Sequence, residues 1–301
     1  MDVKIQEVIS RDGFQMEKEF VPTEKKVQLI NELSETGVHK IEVTSFVSPK
    51  AVPQLKDASE VATRINRTPD VTYVALIANL RGAERALDAG MDEVNLVMSA
   101  STTHNKKNVN KTHEESLFEF QKIMDTVKST KMKVNGTVAT AFGCPFEGDI
   151  SEDAVQQYVN TYLKMGMNSI TLADTTGMAN PVQVKQLVSK VKEQIGDIPL
   201  TLHFHNTRGM GLVNVIAAME AGANQFDASL GGIGGCPFAP GATGNICTED
   251  LVHMLDEIKV KHNTDLDKLI SLSSGLTEVI GRDDYPGQVV KAGKVSDLHT
   301  V

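Results

Sequence analysis

Eight short β-rich runs alternate with helical patterns along the whole chain, and this alternation restricts the fold more than any other feature. The runs are Val3 to Ile9, Lys40 to Phe46, Val71 to Ala78, Glu93 to Ala100, Lys133 to Phe142, Ser169 to Thr175, Leu200 to Asn206 and Gln225 to Leu230. Between them apolar residues recur at three- and four-residue spacing, as at Val27, Ile30 and Leu33 after the start at Pro22-Thr23-Glu24. Small or glycine stops such as Glu35-Thr36-Gly37 and Asp88-Ala89-Gly90 return the chain to the next run. Eight strand–helix units predict an α/β fold, a TIM (β/α)8 barrel, rather than an open doubly wound sheet. With 301 residues and 41% hydrophobic content, the chain can bury one such core. A last barrel helix is expected near Glu249 to Ile258, then an additional C-terminal helical segment over Asp265 to Ile280. The expected organisation is one catalytic barrel domain over residues 1–280, including that cap helix, and a polar, mobile tail over 281–301.

Charge narrows the partners. A formal net charge of −9 and a pI near 5.4 argue against a general nucleic-acid binder, which needs a basic surface to neutralise phosphates. Three cysteines, an odd number, make no disulfide framework and point to a reducing, cytoplasmic setting. The first residues lack the apolar core of a signal peptide, and no run has the apolar length to span a bilayer.

Barrel active sites sit at the C-terminal ends of the strands, so the polar residues there carry the functional reading. The seventh run contains His203 and His205, two apart on a strand and therefore on one face. They are either hydrogen-bonded core histidines or a pair of ligands for one divalent ion, and the strand-end position favours the ion. The first run ends in Arg11-Asp12-Gly13-Phe14-Gln15, where Asp12 could be an oxygen ligand and Arg11 a fixed charge for an enolate or carboxylate. A salt bridge in a surface turn reads equally well there. Glu42 interrupts an apolar strand, and an inward carboxylate needs a partner, for which Arg11 is the candidate. After the eighth run, the stretch Gly231 to Asn245 holds six glycines. It reads either as a phosphate cradle or as a loop that delivers Cys236 as a thiol acid or base, with Asn245 as an oxygen donor or merely a helix N-cap. Cys144 and Cys247 read as structural. Thr103 to Lys111 reads as a basic, amide-rich loop that is either solvated or set to meet coenzyme A phosphates.

Taken together, Arg11 to Gln15, Ile41 to Lys50 with its Thr-Ser-Phe-Val-Ser-Pro-Lys stretch, the pair His203 and His205, and the loop Gly234 to Asn245 resemble the 3-hydroxy-3-methylglutaryl-CoA lyase family over nearly the whole chain. The resemblance implies that Asp12, His203, His205 and Asn245 coordinate Mg²⁺ or Mn²⁺. It implies catalytic roles for Arg11, Asp12, Glu42, His203 and Cys236, and substrate or coenzyme A contacts from Arg11, Gln15, Lys106, Lys107, Asn108 and Thr175. The implied reaction is a retro-Claisen cleavage to acetyl-CoA and acetoacetate, a ketone body, as in leucine degradation. The resemblance implies an acyl-CoA substrate; the other expected partner is a second copy in a homo-oligomer, a dimer, and charge and hydropathy leave no nucleic acid and no membrane. One departure stands out, since many relatives have His-Asp-Thr where this chain has His205-Asn206-Thr207. The change removes a negative charge expected beside the metal. The rival readings are a related synthase acting on 2-oxo acids, a 4-hydroxy-2-oxo acid aldolase, and a non-catalytic acyl-CoA-binding barrel.

Overall fold

The computed structural model describes residues 1–235 and 244–299. Eight parallel strands close into a barrel in sequence order: β1 (Lys4–Glu7), β2 (Lys40–Ser45), β3 (Thr72–Ile77), β4 (Glu93–Ser99), β5 (Lys133–Ala139), β6 (Ser169–Asp174), β7 (Leu200–Phe204) and β8 (Gln225–Ala228). Closure is made by β1 against β8, with Lys4 opposite Gln225 and Glu7 opposite Ala228. Each expected run contains one observed strand, trimmed at its C-terminal end where the chain turns into a rim segment.

Alternation along the strands divides the core in two. Outward residues such as Ile5, Ile41, Val94, Val134, Ile170, Leu202 and Phe226 are buried against helices. The inward face is polar instead. At its base Lys40 Nζ meets both carboxylate oxygens of Glu93 at 2.6 and 2.8 Å. Higher up, Asn135 Nδ2 donates to Thr137 and Thr171 hydroxyls at 3.2 and 3.0 Å. These groups are tolerable inside the barrel because they are hydrogen-bonded to one another.

Two sequence expectations need correction. The basic stretch 103–111 is mostly helix, Thr102–Val109, capped by the Ser101 side chain and ended at Asn110 with φ of 55°. Its buried face is held by polar contacts, Asn105 bonding Ser99 N, Lys111 O and Ser116 Oγ, so no apolar period marked it. The segment expected as a polar, mobile tail packs back on the barrel over residues 282–289. The helix expected over Asp265 to Ile280 is two, Leu266–Ser274 and Leu276–Ile280. Beyond it Arg282 pairs with Glu17 at 2.9 and 2.7 Å, Gly287 N bonds Gly231 O at 3.0 Å, and Tyr285 and Val289 are buried. Among the described residues, no helix is long and apolar enough to cross a membrane.

Candidate active site

The C-terminal rim encloses a cavity of about 510 Å³ whose wall includes Arg11, Asp12, Gln15, Thr175, His203 and His205. Because β7 alternates, His203 and His205 face this cavity while Phe204 between them packs outward against Phe142, ring centroids 5.8 Å apart. Past β7 the chain pairs with the segment 244–246, through Asn206 N to Gly244 O at 3.0 Å and Ile246 N to Phe204 O at 3.1 Å. That ladder sets Asn245 opposite His205. Asn245 is therefore no N-cap; Cys247 holds that position for the helix Thr248–Glu257.

Arg11 and Asp12 lie in a single wide helical turn, Ile9–Gly13, in which Asp12 N, like Arg11 N and Gly13 N, returns to Val8 O. Such turns recur at functional sites, and here both Arg11 and Asp12 border the cavity. Arg11 Nε donates to Glu42 Oε2 at 2.5 Å and its Nη1 to Asp12 Oδ1. Glu42 is held on its other side by Asn95 Nδ2 at 2.7 Å. The pairing of Glu42 with Arg11 is as expected from the sequence, and the surface-turn reading of Arg11 and Asp12 is overturned, since Asp12 is 5% exposed. Asp12 Oδ1 also accepts from Gln15 at 3.3 Å, and its Oδ2 from Asn245 Nδ2 at 2.8 Å.

Asp12, His203 and His205 each present a ligand atom, all within 4.8 Å of one another. His203 and His205 bring their Nε2 atoms to 3.1 Å, close to the separation of about 3 Å for adjacent ligands about 2.1 Å from a six-coordinate ion. Asn245 Oδ1 and Asp227 Oδ1 are buried with no hydrogen-bond partner among the described residues. One guanidinium, Arg11, faces the carboxyl groups of Asp12, Glu42 and Asp227. This donor set, with an orphaned amide oxygen and an excess of carboxylate over cation, fits a divalent ion.

The charge states of Asp12 and His205 suit such an ion, and His203 would give up a proton to it. Burial works against an ionised Asp12, but Arg11, both histidines and the Asn245 amide outweigh it and lower its pKa. His205 is pushed down to about 3, by burial first and then by His203, so it is neutral as a ligand must be. His203 is raised: burial opposes its charge, but the Asp227 hydrogen bond and the charges of Asp227 and Asp12 prevail. Glu42 is raised, chiefly by burial.

Not every residue expected at the site reaches it. Asn108 lines the cavity, but Lys106 and Lys107 do not; Lys107 sits 5.0 Å from the Phe146 ring centroid and Lys106 near Asn110 O. Lys111, Asn110 and His104 line it in their place. Thr175 borders the cavity with its hydroxyl accepting from Thr140 N at 2.8 Å. Cys236 lies outside the described residues. Before it, Gly231 N is taken by Glu249 and Gly232 N by Ser229 O, which leaves neither for a phosphate cradle. Gly234, at φ +133°, passes so close that a Cβ there would stand 2.4 Å from Asn245 Nδ2. Asn206 Oδ1 accepts from Gly211 N at 3.0 Å, so this departure holds the start of the next helix.

Sequence reasoning missed Asp227, whose Oδ2 lies 3.0 Å from His203 Nδ1, and Asn95. Both carry the signal that exposed Glu42, a polar residue inside an otherwise apolar strand.

A closed parallel barrel with two histidines and a carboxylate gathered at its C-terminal rim defines a TIM barrel with a site for a divalent cation. The chain belongs to the HMGL-like family, whose profile matches residues 2–275. It is 42% identical over 280 residues to the hydroxymethylglutaryl-CoA lyase of Bacillus subtilis, covering 93% of this chain and 94% of that protein. It is 41% identical to the (R)-citramalyl-CoA lyase of Chloroflexus aurantiacus, covering 97% and 95%. Among solved structures, an HMG-CoA lyase from Acinetobacter baumannii in complex with coenzyme A and 3-methylmalate matches with a TM-score of 0.96 at 57% identity, covering 100% of this chain and 98% of that one.

Proposed function

We propose that the protein is a carbon–carbon lyase that cleaves 3-hydroxy-3-methylglutaryl-CoA to acetyl-CoA and acetoacetate. The observation that carries this reading is the convergence of Asp12, His203 and His205 beside the Arg11–Glu42 pair in one rim cavity. Family membership and full-length similarity to lyases favour it over the synthase, aldolase and non-catalytic alternatives.

Asp12, His203, His205 and the Asn245 amide oxygen would hold Mg²⁺ or Mn²⁺, which supplies a Lewis acid that lowers the pKa of a bound hydroxyl. The protein's own groups divide the remaining work. His203 has Nδ1 committed to Asp227 and Nε2 turned to His205, so it serves as a ligand rather than a proton carrier. Asp12 is ionised and can accept the substrate's hydroxyl proton but has none to give. As that proton leaves, the bond between C2 and C3 breaks, C3 becomes the ketone of acetoacetate, and the electron pair moves onto the acetyl thioester as an enolate. Arg11, held rigid by Glu42 and Asp12, stabilises that enolate charge. Protonation of C2 completes the reaction, and of the candidate groups Asp12, His203 and Cys236 we propose Cys236 as the donor. Lys111, Asn108, Gln15 and Thr175 are positioned along the cavity for the acyl-CoA.

We propose further that the reaction serves leucine breakdown and ketone body formation, and that the protein works in the cytoplasm as a homodimer. The test is product analysis with purified protein, Mg²⁺ or Mn²⁺, and a panel of 3-hydroxy-3-methylglutaryl-CoA, (R)-citramalyl-CoA and 2-oxo acids with acetyl-CoA. Acetoacetate from the first is the expected result. Preferential turnover of citramalyl-CoA would reassign the acyl group, and condensation of a 2-oxo acid would make the protein a synthase.

A further inference from the structure

Glu7, the last residue of β1, is fully buried yet does not border the cavity. Its Oε1 accepts from Ile9 N at 2.9 Å and from Leu230 N at 3.0 Å, and its Oε2 accepts from the Thr248 hydroxyl at 2.6 Å. Each partner begins or ends a segment that carries a site group. Ile9 opens the turn with Arg11 and Asp12, Leu230 begins the run to the cavity-lining Gly235, and Thr248 follows Asn245 by three residues. A second buried carboxyl group adds to the clamp: Glu249 accepts from Gly231 N at 3.1 and 3.0 Å and from the Cys247 thiol at 3.1 Å.

The location explains why a side chain is needed. Paired residues of β1 and β8 end at Glu7 opposite Ala228, and the ladder continues only to Val8 N on Ala228 O. Past that point, among the described residues, no backbone hydrogen bond joins the two rim segments to each other. A buried carboxyl group is costly unless hydrogen-bonded, and this one has all its bonds to those segments. From this geometry we propose that Glu7 is a positioning residue for the reaction, setting Asp12, Gly235 and Asn245 relative to one another across the barrel closure. The proposal rests on the reading of those residues as the reaction site. Burial raises Glu7 to about 8, consistent with a role that uses hydrogen bonds rather than charge. Glutamine should therefore substitute, accepting at one atom and donating its amide to the Thr248 hydroxyl, whereas aspartate is one methylene too short.

The test compares Glu7→Gln and Glu7→Asp for kcat, KM, Mn²⁺ affinity and thermal midpoint. Glu7→Gln is expected to match the wild type in kcat, KM and Mn²⁺ affinity. Glu7→Asp is expected to lose on the order of a hundredfold in kcat with a smaller change in KM, and about tenfold or more in Mn²⁺ affinity. Should Glu7→Asp not fold, Thr248→Ala removes one arm of the clamp and is expected to lose about tenfold in kcat and in Mn²⁺ affinity. Folded Glu7→Asp, or Thr248→Ala, with wild-type kcat and Mn²⁺ affinity and only a lower thermal midpoint would overturn the proposal. So would a Glu7→Gln variant as impaired as Glu7→Asp. Mn²⁺ affinity reads the positioning whatever the thioester, so an error in the substrate shows in the wild type and not in this comparison.

Discussion

Asp227 Oδ2 lies 3.0 Å from Nδ1 of His203, deep under the rim. A carboxylate at that nitrogen holds a proton on Nδ1, so that in the neutral ring the lone pair is on Nε2, 3.1 Å from His205. The pair therefore decides whether His203 can be a ligand at all.

Asp227→Asn tests this directly. The asparagine amide donates to Nδ1 and moves the ring proton to Nε2, so Mn²⁺ affinity and kcat should both fall by about 10- to 100-fold. Metal titration beside steady-state kinetics checks it. Wild-type affinity in the variant would remove the tautomer argument.

Arg11 should matter most as the bond breaks. Arg11→Lys keeps a positive charge but cannot hold Glu42 and Asp12 from one planar group. The expected loss is about 10²-fold in kcat, roughly 2.7 kcal/mol, with little change in KM. A variant with near-normal kcat would show that Arg11 only supports the wall of the cavity.

Two kinds of buried group pull stability in opposite directions as pH changes. His39 and His104 are each pushed down to about 4, chiefly by burial. Their folded-state pKa lies below the unfolded value near 6.5, so the stability they contribute is complete above that value and is lost as pH falls toward 4. His104→Phe should flatten this acid limb in urea midpoints measured from pH 7.5 to 4.5. Glu7 has the opposite sign: raised to about 8, it contributes stability below about 4.5 that is lost as pH rises to 8. Glu7→Gln should remove this decline between about pH 4.5 and 8, and an unchanged slope would mean that Glu7 does not titrate in this range.

Thiol chemistry gives a separate check on Cys236. Cys144 and Cys247 are buried, 1% and 5% exposed, and burial with nearby Glu249 and Asp250 raises the Cys247 thiol well above its usual range. A gentle alkylating reagent should spare both. Inactivation that tracks modification of Cys236, slowed by substrate and metal, is the expected outcome. Full activity after that modification would make the thiol a bystander.

The barrel was legible because eight β-rich runs could be read from period and punctuation, and each holds an observed strand. Arg11, Asp12, Glu42, His203 and His205 were legible because charge or imidazole at a strand end is unusual enough to need a reason. Lys106 and Lys107 were misplaced because a basic stretch reports charge but not which helical face turns inward; the helix Thr102–Val109 turns His104, Asn108 and Val109 to the cavity instead. The docking of Tyr285 and Val289 was hidden because two apolar residues four apart in a polar segment make too weak a pattern to predict burial. Glu7 was invisible as a clamp because its partners, Leu230 and Thr248, lie more than 200 residues away and are joined to it only by barrel closure.

The most direct test of the central claim is acetoacetate and acetyl-CoA formation from 3-hydroxy-3-methylglutaryl-CoA, measured with Mg²⁺ or Mn²⁺ and again after metal stripping under chelator. The account predicts equal amounts of the two products with metal, and loss of turnover on stripping that returns when metal is restored. Undiminished cleavage by the stripped protein, or no cleavage by the metal-loaded one, would contradict it.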